Sequence, residues 1–162
     1  MTSGNLIRNK VIVEGTSLYD KGSFGTLESG NVILNSVEAL YLLEKKKLTL
    51  DLSVSKLYSK FSKLESKFPE RYTVYKDMRK KGYILKSGLK FGADFRVYAK
   101  GKRPGKAHAN WLLFVTKEND KFSWKNFSGM NRVAHSTRKN ILVAIVDGEN
   151  KISYFEVSWK KV

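Results

Sequence analysis

The apolar positions in the middle of the chain follow a helical period. Val54, Leu57, Phe61, Leu64 and Phe68 recur every three or four positions, and lysines and serines fill many of the positions between them. This spacing is typical of the buried face of an amphipathic helix. The segment is therefore predicted to form a helix that packs one side against a core.

Two further helices flank this one. The first is predicted to start at Asn35 or Ser36, either of which can cap the free amides of a first helical turn. The second follows the interruption at Pro69, a residue that suits the first turn of a helix. It is predicted to run to Lys81, with Gly82 as its C-terminal cap.

The other apolar segments are short and have the pattern of β-strands. They are residues 6–14, 31–34, 83–86, 91–98, 110–115, 140–147 and 152–159, and a short helix is predicted at 122–130. Helices and strands in this order predict an α+β fold. We predict a small N-terminal subdomain of helices and strands, residues 1–68, and a C-terminal domain with a mixed sheet and flanking helices, residues 69–162.

The composition is that of a folded protein. Of the 162 residues, 41% are hydrophobic and 12% are aromatic, so the chain can bury a core. No apolar run approaches the roughly 18 residues of a membrane span, the N-terminus lacks the pattern of a secretory signal, and there is no cysteine. We therefore expect a soluble intracellular protein without disulfides, thiolate catalysis or cysteine-bound metal.

The positive charge is concentrated in the second part of the chain. The net charge is +16; residues 1–68 carry 10 Lys or Arg against 7 Asp or Glu, whereas residues 69–162 carry 21 against 8. A lysine-rich surface that serves thermal stability would pair its lysines with glutamates, but acidic partners are scarce here. The imbalance predicts a polyanionic partner, of which nucleic acid is the commonest.

Three side chains suited to proton transfer and charge stabilisation lie at the edges of predicted strands. Tyr98 ends one strand, His108 follows the basic loop 100–107, and Lys139 precedes the strand at 140–147. A phenol, an imidazole and an ammonium on a basic surface suit acid–base chemistry on a phosphodiester. Neither histidine has a metal-ligand partner at a suitable spacing and the carboxylates are scattered, so no metal site or cofactor is predicted.

Longer motifs surround these three residues. They are Tyr75-Lys-Asp-Met-Arg-Lys-Lys-Gly-Tyr83, Gly88-Leu-Lys-Phe-Gly-Ala-Asp-Phe-Arg-Val-Tyr98 and Arg132-Val-Ala-His-Ser-Thr-Arg-Lys139, with Glu38-Ala-Leu-Tyr-Leu-Leu43 earlier in the chain. Through these motifs the chain resembles the archaeal tRNA-splicing (tRNA-intron) endonucleases over nearly its whole length. The resemblance implies that residues 69–162 form the catalytic nuclease domain of that family.

The resemblance implies an endoribonuclease that excises introns from precursor tRNA at bulge–helix–bulge sites. It would leave a 2′,3′-cyclic phosphate and a 5′-hydroxyl, and it would need no metal or other cofactor. The family's catalytic tyrosine, histidine and lysine match Tyr98, His108 and Lys139. In these roles Tyr98 takes the proton of the 2′-hydroxyl, His108 protonates the leaving 5′ oxygen, and Lys139 stabilises the charged transition state. Because a phenol ordinarily ionises only near pH 10, Tyr98 either becomes a phenolate beside Lys139 or only orients the hydroxyl, and both alternatives stay open.

The resemblance also implies an RNA-binding residue and a larger assembly. Arg132 matches the basic side chain that holds a flipped bulge base by stacking and cation–π contact, whereas the second clamping arginine of some members has no counterpart here. His135 is interpreted as a structural residue or a phosphate contact. Family members form tetramers or pseudo-tetramers, so we expect a homotetramer or a heterotetramer with a paralogous structural subunit, and no membrane partner. The alternative is a non-catalytic RNA-binding or structural subunit of the same complex, which would have no chemical reason to keep Tyr98, His108 and Lys139.

Overall fold

The computed structural model describes residues 1–162 and divides the chain into two compact units. The first unit comprises Met1–Tyr72 and the second comprises Thr73–Val162. Each unit contains its own five-stranded sheet. The domain boundary between residues 68 and 69 that the sequence suggests stays a prediction.

The first unit combines a mixed sheet with short helices. Its elements are β1 (Thr2–Ile7), β2 (Lys10–Glu14), α1 (Ser17–Gly22), β3 (Thr26–Glu28), β4 (Asn31–Leu34), α2 (Ser36–Glu44), β5 (Leu48–Thr49) and α3 (Val54–Leu64). The strands lie in the order β3-β4-β2-β1-β5. All neighbouring strands are antiparallel except β1 and β5, which are parallel.

A reciprocal cap fixes the start of α2. The side chain of Asn35 accepts a hydrogen bond from the backbone N–H of Glu38 at 3.0 Å, and the Glu38 carboxylate accepts one from the N–H of Asn35 at 3.0 Å. The other oxygen of that carboxylate accepts from the N–H of Gly25, also at 3.0 Å. Glu38 is thus buried with its charge hydrogen-bonded. The prediction that Asn35 or Ser36 caps this helix is confirmed, and Asn35 is the residue that does so.

The second unit is a mixed sheet with a helix in one of its connections. Its elements are the second half of α4 (Phe68–Lys80), then β6 (Ile84–Ser87), a 3₁₀ turn (Leu89–Phe91), β7 (Phe95–Tyr98), β8 (Trp111–Lys117), α5 (Trp124–Ser136), β9 (Asn140–Val146) and β10 (Ile152–Val157). The strand order is β10-β9-β8-β7-β6. Only β8 and β9 are parallel, and α5 is the crossover that parallel neighbours require.

The sheet of the second unit buries apolar side chains on both faces. On one face Leu112 and Ile141 pack with Ala134 of α5 in a single apolar cluster. On the other face Phe95 contacts Tyr75 of α4, with ring centroids 5.8 Å apart. All five side chains are almost completely buried. A sheet covered on both faces has few places where polar groups can meet solvent, and the ends of its strands are the main ones.

The predicted α+β fold is confirmed, with two mixed sheets in separate units. None of the five helices combines the length and the apolar character that crossing a membrane would need.

Candidate active site

Strand pairing brings three distant chain segments to one end of the second sheet. Val97 near the end of β7 pairs with Trp111 at the start of β8, because these two strands are antiparallel. Trp111 also pairs with Asn140 at the start of β9, because these two strands are parallel. The end of β7 and the starts of β8 and β9 therefore lie side by side. Tyr98 and Lys139 belong to these segments, and His108 lies just before β8.

Asn110 links the three segments through its backbone. Its N–H donates to the carbonyl of Val97 at 2.9 Å, and its carbonyl accepts from the N–H of Asn140 at 3.0 Å. Tyr98 and Lys139 consequently lie on either side of Asn110. With neighbouring strands about 4.8 Å apart, their Cα atoms are separated by roughly 10 Å. His108 is two residues from Asn110, which puts its Cα at most about 7 Å away along the chain.

Tyr98 is the last residue of β7 and pairs with Ile84 of β6. Its side chain is only 4% exposed, so the ring is held by packing. No protein group hydrogen-bonds its hydroxyl, and no fully buried side-chain oxygen or nitrogen lacks a partner, so the phenol oxygen reaches the surface. A fixed ring with an open hydroxyl can receive a hydrogen bond from a substrate or donate one to it.

His108 is exposed and follows a folded, basic loop. Within the loop the N–H of Lys102 donates to the carbonyl of Ala99 at 3.0 Å, and the N–H of Ala107 donates to the carbonyl of Arg103 at 3.0 Å. These turns give the loop a defined path and leave the imidazole in solvent. An exposed imidazole is free to exchange a proton with a ligand at the surface.

Lys139 lies in the connection between α5 and β9, and its side chain is half-buried. The Nζ donates to the carbonyl of Thr137 at 3.1 Å and lies 5.3 Å from the centre of the Phe91 ring. Burial lowers the pKa of the Lys139 ammonium, and the nearby positive charge of Arg96 lowers it further. Tyr98 is not among the groups that shift the pKa of Lys139, and no contact between the two side chains is seen.

Arg132 and His135 both lie on α5, one helical turn apart. Arg132 is exposed, and its guanidinium donates to the Ser128 hydroxyl at 3.3 Å on the preceding turn. The His135 ring packs against the Trp159 ring, with centroids 4.4 Å apart. Arg132 is therefore open to a ligand, while His135 has an aromatic neighbour from the segment after β10.

A hollow beside His108 includes residues that sequence reasoning missed. It has a volume of about 310 Å³ and is lined by residues that include His108, Trp111, Arg138, Asn140 and Glu156. Trp111 lies three residues after His108 and Arg138 directly precedes Lys139, so their positions in the sequence offered a signal. Glu156 offered none, because its place beside Trp111 depends on the pairing of β10.

No three side chains of His, Cys, Asp or Glu type lie close enough together to hold a metal ion.

Comparison with protein families finds two matches that together span most of the chain. Residues 68–154 match the model described as tRNA intron endonuclease, catalytic C-terminal domain. Residues 2–59 match the model described as tRNA intron endonuclease, N-terminal domain. The first match contains Tyr98, His108, Arg132 and Lys139.

Several curated relatives carry the name tRNA-splicing endonuclease. The protein of Thermococcus onnurineus is 40% identical over 149 residues, which cover 89% of this chain and 85% of the relative. That of Methanothermobacter thermautotrophicus is 36% identical over 165 residues, which cover 96% of both chains. That of Nanoarchaeum equitans is 43% identical over 136 residues, which cover 77% of this chain and 87% of the relative. On these matches the chain belongs to the tRNA-intron (tRNA-splicing) endonuclease family, whose activity is the cleavage of tRNA introns.

Proposed function

We propose that this chain is a metal-independent endoribonuclease that excises introns from precursor tRNA at bulge–helix–bulge sites, leaving a 2′,3′-cyclic phosphate and a 5′-hydroxyl. The observation that carries the proposal is the meeting of the Tyr98, His108 and Lys139 segments at one end of three adjacent strands. A phenol, an imidazole and an ammonium supply the proton transfers and the positive charge that this transesterification needs. The membership of the family agrees with this chemistry.

The reaction exchanges one P–O bond for another. The ribose 2′-hydroxyl gives up its proton, the 2′ oxygen attacks the phosphorus, and the bond from phosphorus to the 5′ oxygen breaks. Protonated His108 donates its proton to the departing 5′ oxygen, which leaves as a hydroxyl. Tyr98 accepts a hydrogen bond from the 2′-hydroxyl and takes its proton as a phenolate, or orients it for transfer to solvent. No water is consumed, so the phosphate remains cyclic.

Lys139 acts on the phosphate oxygens. Negative charge builds on these oxygens in the transition state, and an ammonium fixed nearby stabilises that charge. The side chain is half-buried and anchored through Thr137, so little reorganisation is needed when the substrate arrives. Partial burial also weakens solvent screening, which increases the benefit of the positive charge.

Shape and charge, more than base sequence, select the RNA in this proposal. The basic loop 100–107 and the excess of lysine and arginine after residue 68 supply phosphate contacts. Exposed Arg132 stacks on a flipped bulge base through its planar guanidinium. The working form is a homotetramer, or a heterotetramer with a paralogous structural subunit, in which two copies of the site match the two splice sites.

The deciding experiment is cleavage of a bulge–helix–bulge RNA by the purified chain in EDTA, with the mass in solution measured in parallel. We expect cutting at both splice sites and 3′ ends that resist phosphatase until acid opens a cyclic phosphate. Inhibition by EDTA that a divalent ion reverses would contradict the metal-independent mechanism. If the chain alone is smaller than a tetramer and inactive, and regains activity when a paralogous subunit is added, it is the catalytic half of a heterotetramer. Inactivity with every such partner would favour a non-catalytic subunit.

The role of His108 is tested against the other histidine of the chain. His108→Ala is expected to slow cleavage by a hundredfold or more and leave RNA binding nearly intact, as for loss of a general acid. His135→Ala is the matched control and should lose far less, since that imidazole packs on Trp159. Equal loss of cleavage in the two variants, or equal loss of binding and cleavage in the first, would count against the assignment.

Arg132→Ala tests the base clamp separately. It should weaken productive binding of the bulged RNA with little effect on the pH dependence of cleavage. If the variant cleaves bulged RNA as fast as the natural chain at limiting enzyme, Arg132 does not hold the bulge base.

A further inference from the structure

The hollow beside His108 is lined mostly by residues that the reaction above does not use. We propose that this hollow, of about 310 Å³, is a nucleotide subsite that holds the base of the nucleoside whose 5′ oxygen leaves. Trp111 is its stacking surface, and Arg138, Asn140 and Glu156 complete it. The proposal rests on the proposed function, because it assigns a place to one part of that substrate.

The position of the hollow relative to Lys139 determines which nucleoside it takes. Trp111 pairs with Asn140, so their side chains share one face of the sheet. Lys139 precedes Asn140, and its ammonium lies over the Phe91 ring, on the opposite face. A phosphodiester at the end of the strands therefore has Lys139 on one side and the hollow on the other. The leaving nucleoside belongs on the side that His108 lines, because His108 protonates its oxygen.

Two contacts hold the Trp111 ring in place before any RNA binds. The indole Nε1–H donates to the Glu156 carboxylate at 2.5 Å. The ring also meets Tyr83 edge to face, with centroids 5.9 Å apart and planes at 80°. The side chain is only partly buried, so some of the indole remains open. A ring that is already ordered can stack on a base without a further entropy cost, and such stacking tolerates any base sequence.

The charges around the hollow favour a base inside it and a phosphate at its rim. The carboxylate of Glu156 in the lining repels a phosphate that enters. Exposed Arg138 offers a guanidinium to the next phosphate along the strand. The amide of Asn140 adds one donor group and one acceptor for the edge of a base. An unpaired nucleotide can stack on Trp111, hydrogen-bond to Asn140 and place a phosphate beside Arg138, whereas a free phosphate can bind only Arg138.

The test compares two RNAs that differ in one base. Both are bulge–helix–bulge substrates, and one carries an abasic residue immediately 3′ of a cut. Single-turnover cleavage is measured for the natural chain, Trp111→Leu and Trp111→Phe, with enzyme in excess over RNA but below the concentration that saturates binding. The natural chain should cut the abasic RNA at least about fivefold more slowly, in line with stacking on an aromatic ring. Trp111→Leu should reduce this ratio to less than about twofold, and Trp111→Phe, which keeps an aromatic face, should retain most of it.

The ratio of the two rates separates a subsite from a merely structural role. A variant that is partly unfolded slows both RNAs equally and leaves the ratio unchanged. An RNA with its abasic residue in the intron, away from both cuts, should be cleaved at the normal rate by all three proteins. The subsite would be overturned if Trp111→Leu kept the whole rate difference between the intact and abasic RNAs, or if the natural chain cut both RNAs at the same rate. In either case the proposed intron cleavage would still stand. Failure of the natural chain to cut the intact RNA, both alone and with a paralogous structural subunit, would overturn the proposed function and the subsite together.

Discussion

The hydroxyl of Tyr154 connects the edge strand β10 to helix α4 through a charged acceptor. It donates to Oδ2 of Asp77 at 2.6 Å, and the same oxygen lies 2.7 Å from Nζ of Lys81. The Lys81 ammonium also lies 4.7 Å from the centre of the Tyr154 ring. Burial, together with the hydrogen bond and charge of Asp77, raises the pKa of Tyr154 far above its usual value. The phenol therefore stays protonated and remains a donor over the whole working pH range.

Tyr154→Phe removes this one hydrogen bond and keeps the ring. A hydrogen bond to a charged group contributes about 1.5–3 kcal/mol. Asp77 keeps Lys81 as a partner, and its side chain is 31% exposed, so water can replace part of the loss. For these two reasons we expect Tyr154→Phe to lower the unfolding free energy by the smallest value in this range, about 1.5 kcal/mol at pH 7.

The pH dependence of this loss follows from Asp77. Burial raises the pKa of Asp77, but the hydrogen bonds from Lys81 and Tyr154 and the charges of Lys81 and Lys80 outweigh it, so the net pKa lies below 3.8. A carboxyl group whose pKa is lowered by folding stabilises the protein above its unfolded pKa, and this contribution disappears as the pH falls through the folded pKa. The difference between the natural chain and Tyr154→Phe should thus be constant from pH 7 to about pH 5 and shrink below about pH 4.

Urea unfolding at pH 7 and pH 3 measures both quantities. Tyr58→Phe is the matched control, because the Tyr58 side chain packs among aromatic rings, is 38% exposed and donates no hydrogen bond from its hydroxyl. The control should change the unfolding free energy by less than about 0.5 kcal/mol. Equal stability of the two variants at pH 7, or a difference that grows on acidification, would refute the reasoning.

Three other perturbations have expected outcomes. Because burial and Arg96 lower the pKa of Lys139, the natural chain should lose cleavage at a lower alkaline pH than Lys139→Arg does; pH–rate profiles on an RNA whose leaving 5′ oxygen is replaced by sulfur, which needs no general acid, would show this, and coinciding alkaline limbs would contradict it. Gly88→Ala should destabilise the chain by about 1–3 kcal/mol in urea unfolding, since a Cβ there would lie 2.8 Å from the Ala93 carbonyl oxygen and 2.9 Å from the Phe95 nitrogen. Asn35→Ala should cost about 1 kcal/mol of unfolding free energy through loss of the α2 cap, and a change within measurement error would show that solvent replaces it.

Local sequence patterns predict most of the helices and strands, and the errors fall at particular turns and element ends. The helical period of residues 54–68 correctly predicts α3, although the helix ends at Leu64. Val54, which the period places on the buried face, is 38% exposed. The sequence predicts one strand over residues 6–14, and this prediction is wrong. The segment forms parts of β1 and β2, joined by a turn at Arg8 in which φ is +56°. Arginine rarely adopts this conformation, so the only local mark of the turn is the turn-favouring residue Asn9.

Tertiary packing explains why the α5 prediction was too short. The sequence predicts a helix only over residues 122–130, but α5 runs from Trp124 to Ser136. Gly129, Val133 and His135 are weak helix formers, which hides the second half of the helix from propensity arguments. In the fold this half buries Ala134 against the sheet, and that contact stabilises it.

The residues of the candidate site can be predicted from the sequence, but their arrangement in space cannot. Tyr98, His108 and Lys139 could be proposed from motifs, because each residue lies inside its own stretch of chain. Their meeting point depends on the register of β7, β8 and β9, which no local pattern specifies. The contact between Trp111 and Glu156 joins residues 45 positions apart and follows from pairing of β10, so the hollow beside His108 could not be seen from the sequence.

The place of β10 in the chain has a consequence for folding. Synthesis proceeds from the N-terminus, and the segments that carry Tyr98, His108 and Lys139 emerge before the strand that carries Glu156. Contacts between distant residues also form slowly, because a long loop must close first. The indole of Trp111 therefore acquires its carboxylate partner late, after the basic loop is already present. The hollow beside His108 is therefore complete only once the last strand of the sheet has paired.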